Sequence, residues 1–122
     1  MVKILIVDDS KYMRTKIRNL LEFEGHSIVG EASSGEQAIK LYTSLQPDLV
    51  TMDIVMPAPG GIECVQKIRD FDPKARIIMV SAVGQDSMII DAIKFGAKGY
   101  VIKPFKDKQV IQVVDRVLLI SK

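Results

Sequence analysis

Short apolar runs alternate along the chain with segments whose hydrophobic residues recur at helical spacing. Lys3 to Val7 is a β-branched run that stops at Asp8 and Asp9, the pattern of a strand buried on both faces. From Lys11 onward Met13, Ile17, Leu20 and Leu21 predict a helix, with Lys11, Arg14, Lys16 and Arg18 on its solvated faces and Gly25 as a stop. Ser27 to Ala32 predicts a second strand. Ser34 and Gln37 form a capping box for a helix carrying Ala38, Leu41, Tyr42 and Leu45, which Pro47 prevents from running on. Asp48 to Met52 is a third apolar run, ended by Asp53, and the loop MPAPGG separates it from a helix with Ile62, Val65 and Ile68 on one side. Asp72-Pro73 marks a turn before a fourth strand, Arg76 to Val80. Ser81 and Gly84 then lead into a helix with Met88, Ile89, Ala92 and Ile93, closed by Gly96. Gly99 to Ile102 supplies a fifth strand, interrupted by Lys103-Pro104, and the last helix carries Val110, Val113, Val114, Val117 and Leu118.

Strands separated by helices need crossover connections, which implies a parallel sheet covered on both faces. The expected fold class is α/β, a doubly wound five-stranded parallel sheet of the flavodoxin-like (βα)5 kind. Its strand order 2-1-3-4-5 is adopted by analogy with that fold, whose ligands bind at the carboxyl ends of the strands. At 122 residues the chain fits one domain, 1–122.

Composition narrows the function classes. Hydrophobic residues at 48% and charged residues at 26% describe a globular chain rather than a disordered one. A formal charge of +2, from 17 basic and 15 acidic residues spread along the chain, gives no field that recommends nucleic acid. No apolar run reaches the roughly 20 residues that span a bilayer, and the first aspartates come too early for a signal-peptide core, so a cytoplasmic protein without membrane contact is expected. Cys64 is the only cysteine and has no neighbouring histidine, which favours a packing role over a metal or disulfide one. His26, just after a glycine, reads as a loop or strand-edge residue.

The chemistry is concentrated where apolar runs stop. In a parallel sheet, Asp8 and Asp9, Asp53, Ser81 and Lys103 all emerge along one edge: three acids, a hydroxyl and an ammonium group. Any one of them is explained by loops being wet, but all five together call for a site. Carboxylates about 4 Å apart repel by roughly 4 kcal/mol per pair at an effective dielectric of 20, so the cluster needs a counter-ion. Mg2+ suits one or two carboxylates with waters and a substrate phosphate. An aspartate can attack phosphorus to give an acyl phosphate, with Lys103 and Ser81 placed to stabilise the transferred group. The proline after Lys103 is a candidate cis peptide that would fix this lysine.

The DD pair after the first strand, the aspartate of TMDIVMP, the serine of VSAVG and the KPF after the fifth strand resemble the receiver family of response regulators. The match extends over essentially the whole chain. The resemblance implies a phosphoacceptor, not an enzyme in the turnover sense, that promotes its own phosphorylation and slow dephosphorylation. It places phosphorylation on Asp53, and Mg2+ on Asp9, Asp53 and the backbone carbonyl of Val55, with Asp8 supporting the metal through water. It makes Ser81 and Tyr100 the switch pair. Within the family, SAVGQDSMIIDAIKFGAKGYVIKPF looks most like CheY-like chemotaxis regulators. That branch implies a monomer phosphorylated by a CheA-like sensor histidine kinase, acting on a flagellar motor switch or archaellum adaptor protein, with a phosphatase as a further partner. The partner surface would present Ile89, Tyr100 and Ile102. The chain departs from the family at Pro59 and Gly60, where a methionine and an acidic or amide residue are more common. Val55 and Val83, two residues beyond Asp53 and Ser81, flank the route of attacking water and are expected to slow hydrolysis.

Two rival chemistries and one rival pathway stand beside this reading. A flavin carrier would need a hydroxyl- and glycine-rich loop where this chain has DDSKYM. An aspartate-dependent phosphohydrolase would need a second acid two residues after its nucleophile, which neither Asp8 nor Asp53 has. A phosphorelay intermediate, passing phosphate to a histidine phosphotransfer protein, is barely separable by sequence.

Overall fold

The computed structural model describes residues 2–82 and 84–120. Five strands and five helices alternate: β1 (Lys3–Val7), α1 (Lys11–Phe23), β2 (Ser27–Ala32), α2 (Gly35–Leu45), β3 (Leu49–Asp53), α3 (Gly61–Phe71), β4 (Ile77–Ala82), α4 (Asp86–Lys94), β5 (Gly99–Lys103) and α5 (Asp107–Ile120). The strands form one parallel sheet in the order β2-β1-β3-β4-β5. The doubly wound (βα)5 expectation is met in full.

Alternation of side chains across the sheet divides the core in two. Leu5, Val7, Val50, Met52, Ile77 and Met79 pack under α2, α3 and α4. Ile4, Ile6, Leu49, Ile78, Val80 and Val101 pack under α1 and α5. Both layers are closed to solvent at their centres: Ile4, Leu5, Ile6, Leu49 and Ile77 have no exposed surface. Cys64 is free, fully buried and part of the first layer, and burial raises its thiol pKa to about 11, in keeping with a packing role.

Three strands run further than their apolar stretches predict. β3 takes in Asp53, β4 takes in Ser81 and Ala82, and β5 takes in Lys103. The cause is the ladder. Asp53 pairs with Val80, Ser81 with Ile102 and Ala82 with Lys103, so parallel pairing carries the backbone past the last hydrophobic residue. β4 also begins at Ile77 rather than Arg76. The polar groups of the site therefore sit on the last pairs of a rigid sheet.

Serine side chains cap the first two helices, the second at the serine that the sequence predicts. Ser10 Oγ accepts from the Met13 N–H at 3.2 Å and opens α1, and Ser34 Oγ does the same for Gln37 at the start of α2. The reciprocal bond from Gln37 lands one residue early: its Oε1 accepts from the Ser33 N–H at 2.7 Å.

Candidate functional site

All of the strand-end residues predicted to converge lie at the carboxyl edge of the sheet. Asp8 follows β1 and is 1% exposed, Asp53 ends β3 at 7%, and Ser81 is the penultimate residue of β4 at 0%. Asp9 is exposed beside them. One carboxylate oxygen from each of Asp8, Asp9 and Asp53 lies within 4.8 Å of the others. The donor set is entirely hard oxygen, the chemistry that a small divalent cation such as Mg2+ takes. A further close approach is built into the backbone: a Cβ at Gly61 would strike the carbonyl oxygen of Asp53, so glycine lets α3 begin against the strand end.

Lys103, the last residue of β5, reaches across the edge. Its Nζ donates to Asp8 Oδ2 at 2.9 Å and stands 3.6 Å from Asp53 Oδ2. The lysine thus leans toward Asp8 rather than toward the predicted nucleophile. The Lys103-Pro104 bond is cis, as is Ala58-Pro59 in the loop after β3.

Burial raises the pKa of Asp53 above the ordinary carboxylate range, and the neighbouring Asp8 charge adds to the rise. Lys103 and a hydrogen bond from the Val55 N–H, 3.3 Å to Asp53 Oδ1, pull against it. Asp8 is fully engaged. Its Oδ1 accepts from the Ser10 N–H at 2.9 Å, its N–H donates to Ala32 O at 3.0 Å, and its carbonyl accepts from Arg14 Nη1 at 2.7 Å. Ser81 is the reverse case. Its Oγ is buried without a hydrogen-bond partner, a state it shares among the described residues with Thr51 Oγ1 on β3, two residues before Asp53.

One expected surface residue is misplaced. Ile89, assigned to the partner face, is 6% exposed and belongs to the core beneath α4 with Ala92. One residue of helical rotation, about 100°, separates it from Ile90, which is 56% exposed. Adjacent isoleucines leave periodicity no means of choosing between them. Tyr100 is 45% exposed and Ile102 half-buried, both lining a groove between β5 and α5 with Gln112 and Arg116. Val55 is half-exposed, and Val83 lies outside the described residues.

Sequence patterning puts Arg14 on the wet face of α1, and the structure does not. Its side chain is 15% exposed, pinned between the Asp8 carbonyl and Glu31 on β2. The available signal was topological: Arg14 lies one turn beyond Ser10, and Glu31 lies near the end of the strand that pairs with β1.

The comparisons with known proteins agree with this geometry. The response regulator receiver domain model matches residues 4–115. Protein CcdB of Bacillus subtilis is 49% identical over 97% of this chain and 98% of its own. The chemotaxis protein CheY of the same organism is 47% identical over 95% of this chain and 97% of its own. A solved CheX–CheY complex with BeF3 and Mg2+ from Borrelia burgdorferi superposes with a TM-score of 0.91 at 37% identity, over 95% of this chain and 88% of that one. Sequence, fold and the acidic edge point the same way: the chain belongs to the receiver domain family of two-component response regulators.

Proposed function

We propose that Asp53 accepts a phosphoryl group from a sensor histidine kinase, with Mg2+ bound at the acidic edge, and that the phosphorylated domain signals by binding another protein. The observation that carries this reading is the meeting of Asp8, Asp9 and Asp53 oxygens within 4.8 Å, with Lys103 Nζ set between Asp8 and Asp53. Asp8, Asp9, Asp53 and the carbonyl of Val55 would hold the metal, which supplies charge neutralisation for the acids and the phosphoryl oxygens.

The protein's own residues divide the remaining work. A carboxylate oxygen of Asp53 forms the bond to phosphorus as the donor's bond to phosphorus breaks. Lys103 brings positive charge to the phosphoryl oxygens while Asp8 holds its ammonium group in place. The partnerless hydroxyl of Ser81 gains an acceptor on the modified Asp53. A hydrogen bond to a charged group is worth about 1.5–3 kcal/mol, which moves a two-state equilibrium by roughly tenfold to a hundredfold. Tyr100, exposed on the strand that pairs with Ser81, is the side chain placed to answer that shift.

Relatives named as chemotaxis proteins support a chemotaxis role, with a CheA-like kinase upstream and a motor-switch or archaellum adaptor protein downstream. Tyr100 and Ile102, joined by Ile90, form the partner surface. Val55, half-exposed beside Asp53, shields the acyl phosphate from water. Incubation with acetyl phosphate and Mg2+, followed by intact mass measurement, tests the chemistry. The wild type gains one phosphoryl group and Asp53→Asn gains none. A wild type that never gains phosphorus, or an Asp53→Asn protein that gains it equally, refutes the proposal.

A further inference from the structure

Asp8 and Asp9 share one peptide plane, and that plane is gripped from outside the acidic cluster. Arg14 Nη1 donates to the Asp8 carbonyl at 2.7 Å, while its Nε donates to Glu31 Oε1 at 3.0 Å. Glu31 is held in turn through its other oxygen by Arg18 Nε at 2.7 Å, and Arg18 Nη1 reaches Glu22 at 3.0 Å. The guanidinium therefore spans α1, the end of β1 and the edge strand β2 in one planar fork, a geometry lysine cannot reproduce. The grip matters most for Asp9. Asp8 has side-chain bonds to Ser10 and Lys103, whereas none to the Asp9 carboxylate is found among the described residues.

We propose that Arg14, braced by Glu31, is a positioning residue for the metal-binding acids: it orients the Asp8–Asp9 peptide so that both carboxylates face Asp53. The claim rests on the reading of the acidic edge as a Mg2+ site. It runs against simple electrostatics, because removing a cation near three carboxylates should by charge alone tighten Mg2+ binding. Positioning predicts the opposite sign. Groups that orient metal ligands from behind typically contribute 10–100-fold to affinity.

Isothermal titration with Mg2+ alone, at neutral pH, tests the inference on the wild type, Arg14→Gln, Arg14→Lys and Glu31→Gln, each confirmed as folded by circular dichroism. Arg14→Gln is expected to bind Mg2+ about tenfold more weakly. Arg14→Lys should recover little of that loss although it restores the charge, and Glu31→Gln should show a smaller loss. Equal or tighter binding by Arg14→Gln overturns the proposal. If Arg14→Gln does not fold, Arg14→Lys decides, because it keeps the charge and loses only the fork, and wild-type Mg2+ affinity there overturns the proposal as well. A wild type with no Mg2+ binding would instead refute the underlying metal-site reading.

Discussion

The two ends of the acidic edge are held in opposite ways. At the β1 end, every hydrogen-bonding group of Asp8 is occupied, by Ala32, Arg14, Ser10 and Lys103. At the β4 end, Ser81 has a fully buried hydroxyl with no partner. A saturated group has little to gain from any change of state, whereas an orphaned one stands to recover the roughly 1–3 kcal/mol that its burial costs. The edge thus separates a fixed half, suited to holding charge in place, from a poised half, suited to registering that charge has changed.

Removing Lys103 should have the largest effect. Lys103→Met leaves the buried Asp8 carboxylate facing Asp53 without its cation, and breaking a buried pair from one side costs about 3 kcal/mol or more. Urea unfolding at neutral pH in chelator should show that loss, with part of it recovered when Mg2+ is added. A loss below roughly 1 kcal/mol would mean the pair is effectively solvated. The poised half predicts the contrary sign. Ser81→Ala removes an orphan hydroxyl and should stabilise the unmodified protein by about 1 kcal/mol, a rise of a few degrees in melting temperature. On the proposed function, in which Asp53 is the phosphoacceptor, the same variant should also lose the response to phosphorylation. A clear drop in melting temperature would show that the hydroxyl is already bonded.

This asymmetry explains what the sequence could and could not reveal. Asp8, Asp9, Asp53, Ser81 and Lys103 are all visible as polar letters at the ends of apolar runs, because strand ends in a parallel sheet share one edge whatever the details of packing. The strand boundaries were less legible, since pairing of Asp53 with Val80 and Ser81 with Ile102 extends the ladder through residues that carry no hydrophobic signal. Ile89 failed because its neighbour has the same side chain and only the helix's roll separates core from surface. Arg14 failed for a different reason. A basic residue on an amphipathic helix reads as solvated unless the carbonyl and carboxylate it serves, six residues before it and on another strand, are already placed. Nor does any linear pattern mark the satisfaction state of a hydroxyl, so Ser81 and Thr51 were indistinguishable from bonded residues until their surroundings were known.

The smallest effect is expected at the outer brace of the fixed half. Burial pushes the pKa of Glu31 upward, but hydrogen bonds and charge from Arg18 and Arg14 outweigh it, and the net position is below the ordinary value of 4.5. Arg18, shared with Glu22, is correspondingly raised. A carboxylate whose folded pKa is depressed lends stability that is fully present above its unfolded pKa and fades as pH falls through the folded one. The stability gap between the wild type and Glu31→Gln should therefore be constant above about pH 5.5 and narrow progressively as the solution is acidified past 4.5. Because the carboxylate is about a quarter exposed, a gap of a few tenths of a kcal/mol to about 1 kcal/mol is the reasonable scale. Paired urea titrations in chelator, stepped from pH 6.5 down to about 3.5, measure it with everything else on the edge held equal. A gap that stays the same through that window would mean Glu31 is not held by its two arginines, and the brace behind Asp8 would have to be sought elsewhere.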